Sequence, residues 1–243
     1  MQDRAFLLTT AALLHDVGKA FRKMGHFSLS SPQKAHPIIG SQIVLQAVEE
    51  LEKEGSKSEE ISTRIKKLKA LAYLILAHHE QYQNYWQEKF TDLDINHLLP
   101  LLYILRAMDG LSAFYREKGE EEENKIEQQG VLKFFYTLEE VKGISEEERE
   151  RYLFYPMGYY DFPLIELEKE KSQKREKYGK NLTTHLYKEL LNHLKRIPVR
   201  EEEEDRWILS LLRILREYTL FVNSYQQASL PVISLYTHLL STA

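Results

Sequence analysis

A chain of 243 residues with 33 basic and 37 acidic side chains, a net charge of −4 and 43% apolar residues suits one large domain or two small ones, and can bury a real core. No cysteine, 10 Gly and 7 Pro exclude disulfide scaffolds, thiolate zinc sites, thiol nucleophiles, collagen and low-complexity disorder. No apolar run approaches the ~20 residues of a membrane span and nothing at the start reads as a signal peptide, so a cytoplasmic protein without a membrane partner is expected, and its acidic balance confines any nucleic-acid contact to a local patch.

Residues 4–17, RAFLLTTAALLHDV, set Phe6, Leu7, Ala11, Leu14 and His15 at helical spacing, and Gly18 is expected to stop that helix. The Ser-, Gly- and Pro-bearing stretch from Phe21 to Pro37 reads as a loop. A second helix is expected from about Pro37 to Lys53, with Ile38, Ile39, Ile43, Val44, Ala47, Val48 and Leu51 on its buried side. A third should cover roughly Glu60 to Gln81 and a fourth roughly Asn96 to Lys118. Strand signals are nearly absent, so the expected fold is all-α.

After Lys118 the composition shifts. Residues 117–150 hold 12 acidic and 5 basic side chains and read as a linker or a solvated helix face. The aromatic cluster from Tyr152 to Pro163 is expected to pack one helical unit on another, with base stacking as the alternative. Residues 169–200 carry 10 basic against 3 acidic side chains, which suits a solvated face or a contact with a nucleic-acid backbone or partner subunit. The acidic run Glu201–Asp205 precedes a helix expected from Trp207 to about Tyr225, and a last helix follows from Pro231. Its abrupt stop at Ala243, without a cap, suggests that the natural chain continues.

Four of the nine histidines fall into an order with two aspartates. His15 and Asp16 are adjacent at the end of the first helix, His36 enters the second, and His78 and His79 are adjacent near the end of the third. Asp109 lies within the fourth, on a stripe with Leu102, Leu105 and Ser112. A carboxylate on a mostly apolar stripe is costly to desolvate unless it meets a cation or a metal. Imidazole nitrogens and carboxylate oxygens suit Mn²⁺, Fe²⁺, Co²⁺, Ni²⁺ or Zn²⁺, and a shared carboxylate brings two ions within about 4 Å. Neighbours on a helix point ~100° apart, so each adjacent pair can serve different edges of one cluster. His36 can equally cap its helix or face solvent, and one of His78 and His79 can stand behind the other. His26, His97, His185 and His193 read as ordinary groups.

The ordered set of LLHDVGK at 13–19, His36, AHHEQ at 77–81 and Asp109 resembles the HD superfamily of metal-dependent phosphohydrolases over residues 1–118. That resemblance implies a helical bundle around one or two divalent ions, Mn²⁺ or Ni²⁺ foremost, with Mg²⁺, Co²⁺, Fe²⁺ or Zn²⁺ also suited. It makes His15, Asp16, His36, His78, His79 and Asp109 metal ligands or their immediate neighbours. The superfamily usually carries another His on a helix before the HD pair, and only 14 residues precede the pair here. The segment SLYTHLLST at 234–242, with His238, is similar to the SLYDH-type stretch of the large, polymerase/cyclase-like subunit of type III CRISPR effector complexes, with Thr237 in place of the usual Asp. AMDGLSAFYREK at 107–118 resembles the same subunit's N-terminal region, with FYREK in place of SxxER.

In that subunit the HD domain is circularly permuted and a later helix completes it. The resemblance thus implies that His238 joins the metal ligands, that helix 231–243 completes a core of residues 1–118, and that 119–230 form a helical connector. It further implies a nuclease of single-stranded DNA in antiviral defence, working with other subunits and a guide RNA. Asp16 and Lys19 are the expected catalytic residues, Lys19 reaching a phosphate oxygen as a point charge. Arg22, Lys23, His26 and Lys34 would add positive potential beside it. The alternatives are a phosphohydrolase of a small or cyclic nucleotide, and a catalytically weak scaffold of a ribonucleoprotein. No GGDD-like motif is present, so cyclic-oligonucleotide synthesis is not assigned.

Overall fold

The computed structural model describes residues 2–23, 35–55, 58–114, 184–219 and 235–243. Among them there is no strand, as expected. The helices are α1 (Gln2–Leu14), α2 (Gly18–Lys23), α3 (His36–Lys53), α4 (Glu59–Ala77), α5 (Ile95–Phe114), α6 (Glu204–Thr219) and α7 (Leu235–Thr242), with a further helical segment at 184–194. None of the described helices is long and apolar enough to cross a membrane.

The core is built around α4. Ser58 caps its start by accepting from the Ile61 amide at 3.2 Å, and Glu59 and Glu60 place negative charge at the positive end of the helix. From Ala70 to Ala77 every residue of α4 is buried, so this part of the helix has no solvent face and must be surrounded. α3 runs along it, presenting Ile38, Ile39, Ile43, Val44, Ala47, Val48 and Leu51 as the spacing predicts, while α1 and α5 cover other sides. α3 ends at Lys53, and Gly55 two residues on, with a φ of +70°, supplies the left-handed turn that most residues resist. α6 buries Trp207, Leu211, Leu215 and Tyr218, one stripe of an amphipathic helix. α7 packs against α1, α5 and α6, bringing the far end of the chain onto its beginning.

Several boundaries differ from the sequence reading, each for a tertiary reason. Gly18 does not stop the first helix: α1 ends at Leu14, His15–Val17 form a turn, and Gly18 opens α2. A Cβ at Gly18 would lie 2.0 Å from the His36 carbonyl oxygen, so the glycine is there to let α2 and α3 touch. α2 also takes the first residues of the expected loop. α4 stops at Ala77, four residues before the expected end, because His79 adopts extended backbone (φ −94°, ψ 121°). α6 starts inside the acidic run, where Glu204 is buried on Lys67 at 3.3 Å. His193 is not an ordinary surface group: its ring stacks on Trp207 at 4.3 Å, its Nε2 faces the Trp207 carbonyl at 3.1 Å, and Trp207 Nε1 donates to the His193 carbonyl at 3.1 Å. The expected features within 115–183, the chain between 24 and 34, and the side chains of Arg22 and Lys23 lie outside the described residues.

Candidate metal centre

Every candidate side chain but Asp109 sits near the beginning or end of a helix. His15 and Asp16 leave the end of α1 in a turn tightened by the Lys19 amide on the Asp16 carbonyl at 2.9 Å. His36 is the first residue of α3, ahead of Pro37, whose missing N–H costs nothing in a first helical turn. His78 caps the C-terminus of α4, and His79 opens the 3₁₀ turn Glu80–Tyr82. Asp109 projects from α5 and His238 from the first turn of α7.

These seven residues converge into two clusters that share one carboxylate. Asp16, His36, His78 and His79 place one ligand atom each within 4.8 Å of one another, and so do His15, Asp16, Asp109 and His238. Asp16 Oδ1 faces the first group, with His36 Nε2 at 2.8 Å and His78 Nε2 at 3.7 Å. Asp16 Oδ2 faces the second, with His238 Nε2 at 2.9 Å and His15 Nε2 at 3.4 Å. Asp109 Oδ1 stands 3.4 Å from both His15 Nε2 and His238 Nε2. His79 Nε2 meets His36 Nε2 at 3.1 Å.

Lys19, expected as a phosphate ligand, lies beside the shared carboxylate. Its ammonium is buried and donates to Asp16 Oδ2, so it neutralises the shared carboxylate and does not point to solvent.

The charges follow from these distances. Burial disfavours the Asp16 anion, yet Lys19, His15 and His36 outweigh it and hold the carboxyl well below its usual range. Burial also opposes a charge on His15, but the carboxylates of Asp16 and Asp109 prevail and push it up to about 9. His36 is driven the other way, down to about 3, because burial outweighs the attraction of Asp16 and Lys19 and His78 repel its proton. His79 falls to about 4 through burial and the neighbouring His78, and burial lowers His78 as well. Burial works against the Asp109 anion, but His15 and His238 hold it below the ordinary carboxylate range.

The donor set fits divalent ions. Buried Asp16 Oδ1, His15 Nε2 and His78 Nε2 crowd together without forming an aligned hydrogen bond, an arrangement costly in a dry interior unless a cation meets them. Behind two of them, His15 Nδ1 donates to the Ala12 carbonyl at 2.8 Å and His78 Nδ1 to the Ile75 carbonyl at 2.6 Å. Those bonds turn each Nε2 toward the centre, the usual backing of a metal-binding imidazole.

Sequence reasoning missed this backing. The carbonyls come from the residues three before each His, an i−3 relation present in every helix end and therefore silent in the sequence. It also missed Arg106, which donates to the Ala77 carbonyl at 2.6 and 3.1 Å.

Residues 2–114 match the family model described as HD domain. No curated protein matches the chain. Among solved structures, Csm1 from T. onnurineus is similar over 99% of this chain and 27% of its own, with a TM-score of 0.55 and 20% identity. The Csm1–Csm4 subcomplex of the type III-A CRISPR-Csm interference complex is similar over 99% of this chain and 26% of that one (TM-score 0.53, 19% identity), and a Csm1–Csm4 cassette in complex with cA4 over 99% and 27% (TM-score 0.54, 18% identity). The chain thus spans about a quarter of the length of these Csm1 structures, and at this identity the likeness is one of fold. The helices that carry the HD pair, His36, the adjacent histidines and Asp109 all lie within residues 2–114, the part of this chain that is similar to the HD domain model.

Proposed function

We propose that this chain is a metal-dependent phosphodiesterase, a nuclease of single-stranded DNA, forming the HD part of a type III CRISPR large subunit in antiviral defence. One observation carries the hydrolase reading: Asp16 offers one oxygen to each of two His-rich clusters. A single carboxylate shared between two buried donor sets is what a pair of ions about 4 Å apart requires. His36, His78 and His79 would hold one ion and His15, Asp109 and His238 the other, with Asp16 common to both. Bound there, Mn²⁺ or Ni²⁺ would supply Lewis acidity that activates water and offsets charge on the phosphate.

The chain's own residues do the rest. The fixed Nε2 atoms of His15 and His78 hold the donor geometry, and burial keeps His36 and His79 unprotonated and able to bind. Lys19 keeps Asp16 ionised and adds a positive charge beside the phosphate position. Asp109, 22% exposed at its side chain, marks the side from which substrate reaches the clusters. The likeness to Csm1 supports placement in a type III effector, with neighbouring subunits and a guide RNA as partners. Helix α7 would complete a catalytic unit begun by residues 1–118, with 119–230 as a connector.

Labelled single-stranded DNA, duplex DNA and RNA, each with Mn²⁺, Ni²⁺, Mg²⁺ or EDTA, test the reading. Metal-dependent cutting of single-stranded DNA that Asp16→Asn abolishes is expected. A folded, metal-loaded chain that cuts no polymer but hydrolyses a small or cyclic nucleotide would replace the nuclease with a nucleotide phosphohydrolase, and a chain that retains no metal would make it a scaffold.

A further inference from the structure

Arg106 is a half-buried cation on α5, one turn before Asp109. Its guanidinium donates to the Ala77 carbonyl from Nη2 at 2.6 Å and from Nε at 3.1 Å, and to Gln83 Oε1 at 3.0 Å. Ala77 closes α4, and its carbonyl is among the four that a helix end leaves without an intrahelical donor. The carbonyl belongs to the same rigid peptide as the His78 nitrogen, so a two-point grip fixes the plane from which His78 departs. A positive charge here also meets the negative end of the helix dipole. Gln83 lies just past the 3₁₀ turn that His79 opens, so one side chain braces the chain on both sides of the two histidines.

We propose that Arg106 is the positioning residue for His78 and His79. It keeps the cluster of Asp16, His36, His78 and His79 in register for a divalent ion. The cluster of His15, Asp16, Asp109 and His238 does not depend on this grip, because its ligands come from α7, the α1 turn and the continuous backbone of α5. The inference rests on the two-cluster metal reading above and predicts an asymmetry between the clusters that general loss of stability would not produce.

Calorimetric titration of Mn²⁺ into wild type, R106M and R106K tests it, with H79A and H238A showing which binding step belongs to which cluster and circular dichroism reporting the fold. Folded R106M should lose about 10- to 100-fold in affinity at the step that H79A removes, the usual effect of losing an outer partner of a metal ligand. The step that H238A removes should stay within about twofold of wild type. R106K, with one ammonium in place of the fork, should fall between R106M and wild type. Equal weakening of both steps, or none, in folded R106M overturns the proposal. Should R106M not fold, R106K and Q83A take its place: a loss confined to the H79A step supports the proposal, and a uniform response overturns it. A wild-type chain that takes up fewer than two ions overturns the two-ion reading and this inference with it, whereas two unaltered steps in R106M overturn this inference alone.

Discussion

His238 Nε2 lies 2.9 Å from Asp16 Oδ2 although 222 residues separate them along the chain. Removing either partner should therefore have different reach. Asp16→Asn should lower Mn²⁺ uptake at both clusters and hydrolysis by on the order of 10³-fold, since a metal contributes several kcal/mol of charge stabilisation. His238→Ala should empty only the cluster of His15 and Asp109, which metal content by mass spectrometry reads directly.

Metal removal should destabilise the fold. Ions that bind the buried clusters bind the native state, and at 100 times the dissociation constant one such ion adds about 2.7 kcal/mol. EDTA should therefore lower Tm, and restoring Mn²⁺ should recover it. Asp16→Asn should show little of this response.

Gly18→Ala places a methyl group against a carbonyl oxygen that cannot rotate away, the backbone oxygen of His36 at 2.0 Å. A cost of about 1–3 kcal/mol in urea unfolding is expected, with weaker metal binding as His36 shifts. Gly40→Ala is the milder control, because its Cβ would meet the Ile75 side chain at 3.0 Å.

Lys67 and Glu204 tie α4 to α6 at 3.3 Å, both nearly buried, with Lys67 Nζ also 5.2 Å from the Phe6 ring centroid. Lys67→Met alone should cost about 3 kcal/mol by removing the buried cation that faces the Glu204 carboxylate. The double variant Lys67→Met/Glu204→Leu should recover most of that loss. Denaturant titration of the three chains decides the matter.

His193 gives acid sensitivity a local source. Burial against Trp207 pushes it down to about 4, below the ordinary histidine value of 6.5. A histidine with a depressed native pKa binds its proton more readily when unfolded, so its contribution is full above about pH 6.5 and is lost as pH falls toward 4. His193→Phe keeps an aromatic ring on Trp207 and should flatten the stability–pH curve between those values relative to wild type. An unchanged slope would remove His193 from the account.

The parts of the site that were legible in the sequence are those in which chemistry contradicts local pattern. A carboxylate among leucines at Asp109, and imidazoles at the ends of apolar helices, announce a cation before any fold is known. His238 became legible only through the resemblance of its flanking residues, since nothing in an isolated helix says that it returns to residue 16. The rest depends on who sits opposite. Gly18 looked like a terminator because its neighbour 18 residues on, His36, is invisible from the local sequence. Glu204 read only as part of an acidic run ahead of a helix, because its partner Lys67 is 137 residues away. The early end of α4 is held by Arg106 on another helix, and no propensity records it.

The contact between positions 16 and 238 also sets an order of events during synthesis. The turn bearing His15 and Asp16 leaves the ribosome first, whereas the α7 imidazole is made among the last residues of these 243. Such a non-local closure is slow to form, because most of the intervening chain must be in place before its ends can meet. A nascent chain thus carries one incomplete cluster until residue 238 has been made. Any metal binding that needs that cluster is withheld until α7 docks, so the fold itself sets the moment at which the second donor set is complete.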